Sequence, residues 1–235
     1  MLCLAAHPDD LEVYMGGALL GMSRAGWQVQ VWIATRGEKG TFQPAAGTRV
    51  EEARAALGSL GISCVLGDLE DGNLAGELRL DRILLDLVTA ADPGLLFAPH
   101  PSDSHLDHAA LGAAVGEALL RRPASSKAAL WHWLDAAPGI EPSHFLDLGS
   151  SLAEKLALIG YHKSQIPGET GPRGHLPDGR DILERAEHRD RGYGRAQGRA
   201  YLEPFLAPEA RRSEAPCILE SVQDFKSNLG TGNRE

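Results

Sequence analysis

The chain lacks the features that would carry it to a membrane or to nucleic acid. None of its 235 residues falls in a stretch approaching the ~20 apolar residues of a bilayer span. The first apolar run, MLCLA, has no basic flank and is interrupted by His7, Asp9 and Asp10, so it does not read as a secretory signal. Basic residues are a minority. The 23 Lys and Arg stand against 32 Asp and Glu, and a net charge of −9 argues against the basic stripe that a nucleic-acid surface needs. There are three cysteines, Cys3, Cys64 and Cys217, with no CxxC spacing. Buried, reduced thiols in a cytoplasmic protein are the expectation. Neither a GxSxG elbow nor a GxxxxGK[ST] phosphate loop occurs. Gly16, Gly17 and Gly21 do not compose GxGxxG, and two aspartates just before them would put negative charge where a pyrophosphate should sit. What remains is an enzyme-like chain acting on a small molecule, with no nucleic-acid or membrane partner expected.

Apolar residues are plentiful, at 43 %, enough to build one large core. Residues 1–6 read as a strand, 11–25 as a helix, 27–34 as a strand and 49–60 as a helix. ISCVLG is a third strand, RLDRILLDLVTAA a helix, LLFAP a fourth strand and 107–121 a further helix. Strand–helix alternation of this kind predicts βαβ units, hence an α/β, Rossmann-like, doubly wound and mostly parallel sheet with helices on both faces. Beyond residue 122 the pattern is less regular. AALWHWL reads as a strand, 150–165 as a helix capped by Ser150 or Ser151, 166–180 as a lid-like Gly/Pro loop, 181–199 as a polar helix, and NLGTGNRE as a frayed end. The expected organisation is a single domain over 1–206, with a core half 1–122 and a C-terminal part 123–206, followed by an extension 207–235.

Two polar clusters stand at the ends of two of these strands. Ala6-His7-Pro8-Asp9-Asp10 follows the first strand, and His100-Pro101-Ser102-Asp103-Ser104-His105-Leu106-Asp107-His108 follows the fourth. In a 3-2-1-4-5 sheet, strands one and four are neighbours at the topological switch point, so segments about ninety positions apart converge in one crevice. His7 and Asp10 are spaced i, i+3, as are His105 and His108, which lets each pair face one point. A His/Asp/His set suits zinc or another divalent first-row ion, and a carboxylate left over beside it can act as a general base. Alone, two aspartates at a helix start read equally well as a helix cap. Three of nine histidines crowded into residues 100–108 beside the same switch point weaken that plainer reading.

These residues resemble the LmbE/PIG-L-like zinc-dependent N-acetylglucosaminyl deacetylases. The likeness runs through AHPDDLEVYMGG, TRGEKGT at 35–41, RVEEARAALGSLGI at 49–62, HLDH at 105–108, KLALIGYHKSQ at 155–165 and GRAYLEPF at 198–205. It implies a Rossmann-like fold that hydrolyses the acetamide of an N-acetylglucosamine unit. By motif position it implies His7, Asp10 and His108 as ligands of Zn2+, with Fe2+ or another divalent ion as alternatives. It implies Asp9 as the general base and His105 as the group that stabilises the tetrahedral intermediate or protonates the leaving amine. Asp107 would orient the His105 ring. Some members carry a tyrosine just before the HxDH motif; here Asp103-Ser104 stand there.

Arg49 is the expected holder of an anionic or hydroxylated part of the substrate, and Glu38 and Asp71 are candidates for sugar hydroxyls. Each also has a plain reading, as a helix-start, turn or capping residue. The HPDDxE variant, KSQ and Glu203-Pro204-Phe205 are similar to the branch that deacetylates N-acetylglucosaminyl-malate in bacillithiol synthesis. Glucosaminyl-inositol, chitobiose-type and antibiotic-intermediate conjugates are the alternatives, and homo-oligomers occur in the family. A non-catalytic metal- or sugar-binding relative is a third reading, and Asp9 discriminates against it, because binding alone needs no base.

Overall fold

A computed structural model describes residues 1–40, 45–122, 128–135, 139–166, 179–209 and 217–227. Of the lid-like loop expected at 166–180, residues 167–178 lie outside the described ones, as does the frayed end expected at 228–235.

Eight strands form one sheet: β1 (Leu2–Ala5), β2 (Gln30–Thr35), β3 (Cys64–Leu69), β4 (Leu95–Pro99), β5 (Ala129–Trp133), β6 (His144–Asp147), β7 (Leu202–Leu206) and β8 (Cys217–Leu219), in the order β3-β2-β1-β4-β5-β7-β6-β8. The first five are mutually parallel in the expected 3-2-1-4-5 order. β7 then runs antiparallel to both β5 and β6, and β8 lies parallel to β6. The helices are α1 (Asp10–Arg24), α2 (Thr48–Ser59), α3 (Leu80–Ala91), α4 (Leu106–Arg121), α5 (Leu152–Ile159), α6 (Ile182–Ala196) and α7 (Gln223–Ser227). Side chains along each central strand alternate between two cores. Cys3, Ala5, Val31, Ile33 and Phe97 pack with α1, α2 and α6, while Leu4, Trp32, Ala34, Leu96 and Ala98 pack with α3 and α4. Both faces are covered, which is why these strands read as continuous apolar runs.

The second half departs from the expected elements. The single helix expected at 150–165 is three pieces: a 3₁₀ turn at Gly149–Ser151, α5, and a second 3₁₀ turn at Lys163–Gln165. Ser151 stands at the N-cap of α5 but makes no side-chain capping bond. Within the expected extension 207–235, β8 pairs with β6, and Phe225 is fully buried against Phe97, Trp131 and Phe205.

Helix α1 is interrupted at Met15 (φ −141°, ψ 28°). A break strands backbone donors on one side and acceptors on the other. Glu203 of β7 accepts from Gly17 N (2.6 Å) and Ala18 N (2.9 Å). Arg189 of α6 donates to Val13 O (3.0 Å) and Tyr14 O (3.3 Å). Lys155 of α5 links the two, with Nζ 2.8 Å from Glu203 and 2.6 Å from Asp190, which in turn pairs with Arg189. Lys155, Asp190 and Glu203 are 0 % exposed, so this cluster is a wholly internal charge network.

Helix α4 enters against the end of β4 through Gly112. A Cβ there would lie 2.5 Å from Pro99 O, 2.8 Å from Pro101 N and 2.9 Å from His100 C, all of them backbone that cannot swing aside. Gly112→Ala should therefore destabilise the fold by about 1–3 kcal/mol, as overpacking does. It should also displace the turn that carries His108. An unchanged denaturation midpoint would show that the backbone yields there at no cost.

Candidate active site

The end of β1 and the start of α1 shape the first half of the site. Asp9 stands at the N-cap position yet makes no side-chain capping bond, so capping does not account for it. The Asp10 carboxylate folds back instead. Its Oδ2 accepts from Ala6 N (2.9 Å) and His7 N (2.8 Å), which turns Oδ1 toward two imidazoles. Oδ1 lies 3.5 Å from His7 Nδ1 and 3.1 Å from His108 Nε2. Residues from β1 and from the β4 end thus meet in one buried cluster, as their places beside the switch point require.

The other half comes from the β4–α4 turn. Asp103 Oδ1 accepts from His105 N (2.8 Å), and its Oδ2 lies 3.4 Å from His108 Nδ1. A carboxylate behind an imidazole in this way fixes the ring and raises its basicity. His105 is exposed to the cleft and stacks on His108, with centroids 4.6 Å apart. Its Nδ1 accepts from the backbone N–H of Asp107 (3.2 Å). The Asp107 carboxylate faces the other way. It accepts from Gly72 N (2.6 Å) and Leu74 N (3.0 Å) and approaches His7 Nε2 at 3.3 Å. The expectation that this carboxylate orients the His105 ring is corrected: it is held by the β3–α3 loop and faces His7.

Asp71 is drawn into the same cluster. Its Oδ1 lies 3.3 Å from His7 Nε2, and its Oδ2 accepts from Lys39 N (2.7 Å). Glu38, the other candidate for sugar hydroxyls, is exposed and does not line the cleft that opens over His7, Asp9 and His108. Arg49 is no surface arginine. It is buried, with Nη2 donating to Asp9 Oδ1 (2.8 Å) and Nη1 to Gly37 O (2.9 Å). A Cβ at Gly37 or Gly40 would come within 2.6 Å of Arg49 Nη1, so the TRGEKG stretch needs its glycines to lie against the guanidinium.

Charge explains what this cluster can hold. Burial by itself would lower the imidazole pKa of both His7 and His108. The surrounding carboxylates outweigh it, Asp10 foremost, and hold His7 well above its ordinary value and His108 at about 9. Burial alone would raise Asp10, but His108 and His7 hold it well below the usual carboxylate range. Asp107 sits at about 2, because His7 and two backbone N–H groups overcome its desolvation. Carboxylates are in excess here, and bound protons compensate them. A divalent cation offers the same compensation and competes for the same lone pairs. Ligand atoms of His7, His105 and His108 lie within 4.8 Å of one another, as do those of His7, Asp71 and Asp107. Each set could hold a metal ion through His7, and Asp10, which the resemblance puts among the ligands, lies against His7 and His108 but belongs to neither set.

Several cleft residues fall outside the expected site. Tyr14 lies one turn beyond Asp10 on α1. It stacks on Trp133 (4.8 Å, 6°), and its OH donates to Asp135 Oδ2 (3.4 Å). Arg185 of α6 pairs with the same Asp135 oxygen, and Gln165 of the KSQ turn also lines the cleft. Tyr14 could have been found as a one-turn neighbour of Asp10. Gln165 ends the KLALIGYHKSQ stretch that the resemblance already marks, whereas nothing local marks Arg185, because only the fold brings α6 over the first half of the chain.

The chain is 26 % identical over 187 residues to diacetylchitobiose deacetylase of Thermococcus kodakarensis, covering 71 % of this chain and 70 % of that one. The conserved protein TT1542 from Thermus thermophilus superposes with a TM-score of 0.72 at 25 % identity, over 88 % of this chain and 93 % of the other. The fold extends to other chemistry. 4-Carboxy-2-hydroxymuconate hydratase of Pseudomonas putida superposes at 0.69 with 20 % identity, over 91 % and 97 % of the two chains. What separates these possibilities is the site. The family model described as PIG-L, GlcNAc-PI de-N-acetylase, matches residues 2–119, the stretch that carries His7, Asp9, Asp10, Arg49, His105 and His108, and the chain belongs to that family.

Proposed function

We propose that this chain is a metal-dependent amide hydrolase that removes the N-acetyl group from an N-acetylglucosamine-containing small molecule. We assign N-acetylglucosaminyl-L-malate, of bacillithiol biosynthesis, as its substrate. Diacetylchitobiose is the second reading, favoured by the named relative. The observation that carries the proposal is Asp9, a cleft-lining carboxylate adjacent in the chain to Asp10, whose Oδ1 is fixed by a buried arginine.

In this reading His7, Asp10 and His108 hold the ion, zinc in first place and ferrous iron in second. Such an ion supplies Lewis-acid polarisation of the acetyl carbonyl and acidifies water. Arg49 keeps Asp9 Oδ1, which leaves Oδ2 to take the proton from the attacking water. Arg49 therefore acts on the base through Nη2, beside the hold on an anionic or hydroxylated part of the substrate proposed for it as a cleft-lining residue. His105 is open to the cleft, with its Nδ1 taken by the Asp107 N–H and its pKa lowered by burial. It is a neutral ring that presents Nε2–H to the developing oxyanion. The proton that Asp9 took from water passes to the leaving nitrogen as the C–N bond breaks, and acetate departs. Asp103 holds His108, while Asp71 and Asp107 hold His7. The catalytic domain is proposed to run over 1–206, with 207–235 as an extension from which β8 and Phe225 pack onto it. No helix among the described residues is long and apolar enough to cross a membrane, and we propose a cytoplasmic location.

The test is acetate release from a panel of N-acetylglucosaminides with malate, inositol and glucosamine aglycones. Purified protein should contain about one divalent ion per chain, and chelation should abolish release. His108→Ala should lose the ion. Absence of acetate from every member of the panel refutes the deacetylase reading and leaves the non-catalytic metal- or sugar-binding one.

A further inference from the structure

Among the described residues, three cleft-lining side chains carry a permanent positive charge: Lys39, Arg49 and Arg185. Two are engaged within the protein. Arg49 is buried and holds Asp9 and Gly37 O. Lys39 turns its ammonium to the exposed Glu70, at 3.3 Å. Arg185 differs from both. Its side chain is 31 % exposed, while its anchor Asp135 is 7 % exposed, and the contact runs through one nitrogen, Nη2. Asp135 Oδ2 also accepts from Tyr14 OH, and Tyr14 is clamped between Trp133 and the Arg189 guanidinium. The anchor is thus rigid and desolvated, and the rest of a planar, multi-donor fork is left at the cleft wall.

We propose that Arg185, held by Asp135, is a specificity-determining residue that receives a carboxylate on the aglycone of the substrate. The assignment rests on the deacetylase reading above and deepens it by naming an acidic conjugate as the substrate class. A guanidinium oriented by a buried carboxylate keeps its geometry when the ligand arrives, so little side-chain entropy is lost on binding. The forked donors match a carboxylate in two-point contact. Neutral conjugates gain nothing from it.

The test compares N-acetylglucosaminyl-malate with methyl N-acetylglucosaminide on the metal-loaded enzyme, as wild type, Arg185→Gln and Arg185→Lys. In Arg185→Gln the ratio of kcat/KM, acidic over neutral, should fall by about 30-fold, the size of a lost charge-assisted contact. The loss should reside in KM, and Arg185→Lys should recover part of it. An equal loss on both substrates overturns the proposal and makes Arg185 a structural residue. Should Arg185→Gln fail to fold, the same ratio is read from Arg185→Lys, and an unchanged ratio there overturns the proposal. Should wild type release acetate from neither substrate, the deacetylase reading falls by itself. Calorimetric binding of the malate conjugate then decides for Arg185: at least about tenfold weaker binding to the variant supports it, and equal binding overturns it.

Discussion

Asp9→Asn is expected to leave a folded, metal-loaded protein with turnover reduced by about 10²–10⁴-fold, the range that general base catalysis supplies. The substitution is nearly isosteric, and the amide oxygen still accepts from Arg49 Nη2, which now spans 2.8 Å to Asp9 Oδ1. Asp10, not Asp9, makes the contacts to His7 and His108, so metal content should be unchanged. What disappears is the second oxygen's ability to take a proton. Metal analysis and single-turnover acetate release, measured on the same preparation, separate the two effects. Near wild-type turnover would refute the base assignment, and loss of the ion would show that Asp9 belongs among the ligands.

Lys155→Met should cost the fold about 3–5 kcal/mol, the penalty for leaving a buried ionic partner unpaired. The side chain is fully enclosed, with Nζ 2.6 Å from Asp190 and 2.8 Å from Glu203. Arg189 still compensates Asp190 in the variant, so the burden falls on Glu203, whose carboxylate caps the second half of α1. Adding Glu203→Gln should recover part of the loss, because the stranded charge is gone, and only part, because Gln offers one acceptor oxygen where Glu203 accepts from Gly17 N and Ala18 N with two. Thermal or urea unfolding of the two single variants and the double variant gives the coupling directly. A midpoint for Lys155→Met within error of wild type would show that the internal network carries no stability.

Much of this molecule was legible before any coordinates. The α/β alternation through residue 121 and the order of the first five strands follow from apolar runs separated by amphipathic segments, because each central strand buries both faces. The convergence of AHPDD with HLDH follows from topology alone. The second half was not legible for a physical reason. β6 and β7 carry polar residues or proline, in HFLD and LEPFL, and pair antiparallel with each other, so no strand–helix alternation marks them. Side-chain direction was also hidden. The resemblance implies that Asp107 orients the His105 ring, yet the first turn of α4 sends the Asp107 carboxylate to the Gly72 and Leu74 amides. The position of Arg49 at a helix start suggested a surface cation, and nothing local announced that Gly37 and Gly40 would close over it.

The interruption of α1 ties the order of synthesis to the order of folding. The two amides that begin its second half wait for a carboxylate 186 and 185 positions downstream. A nascent chain that has emerged only as far as the HLDH motif holds the proposed ion ligands and the proposed base, but not the residue that completes the helix that Asp10 begins and Asp9 precedes. Closure across so long a stretch of chain is slow, since loop entropy is lost before the contact forms. The stretch that carries the proposed chemistry is therefore made first and stiffened last. A release assay on ribosome-bound chains of increasing length should find protease-resistant α1 only once residue 203 has cleared the exit tunnel.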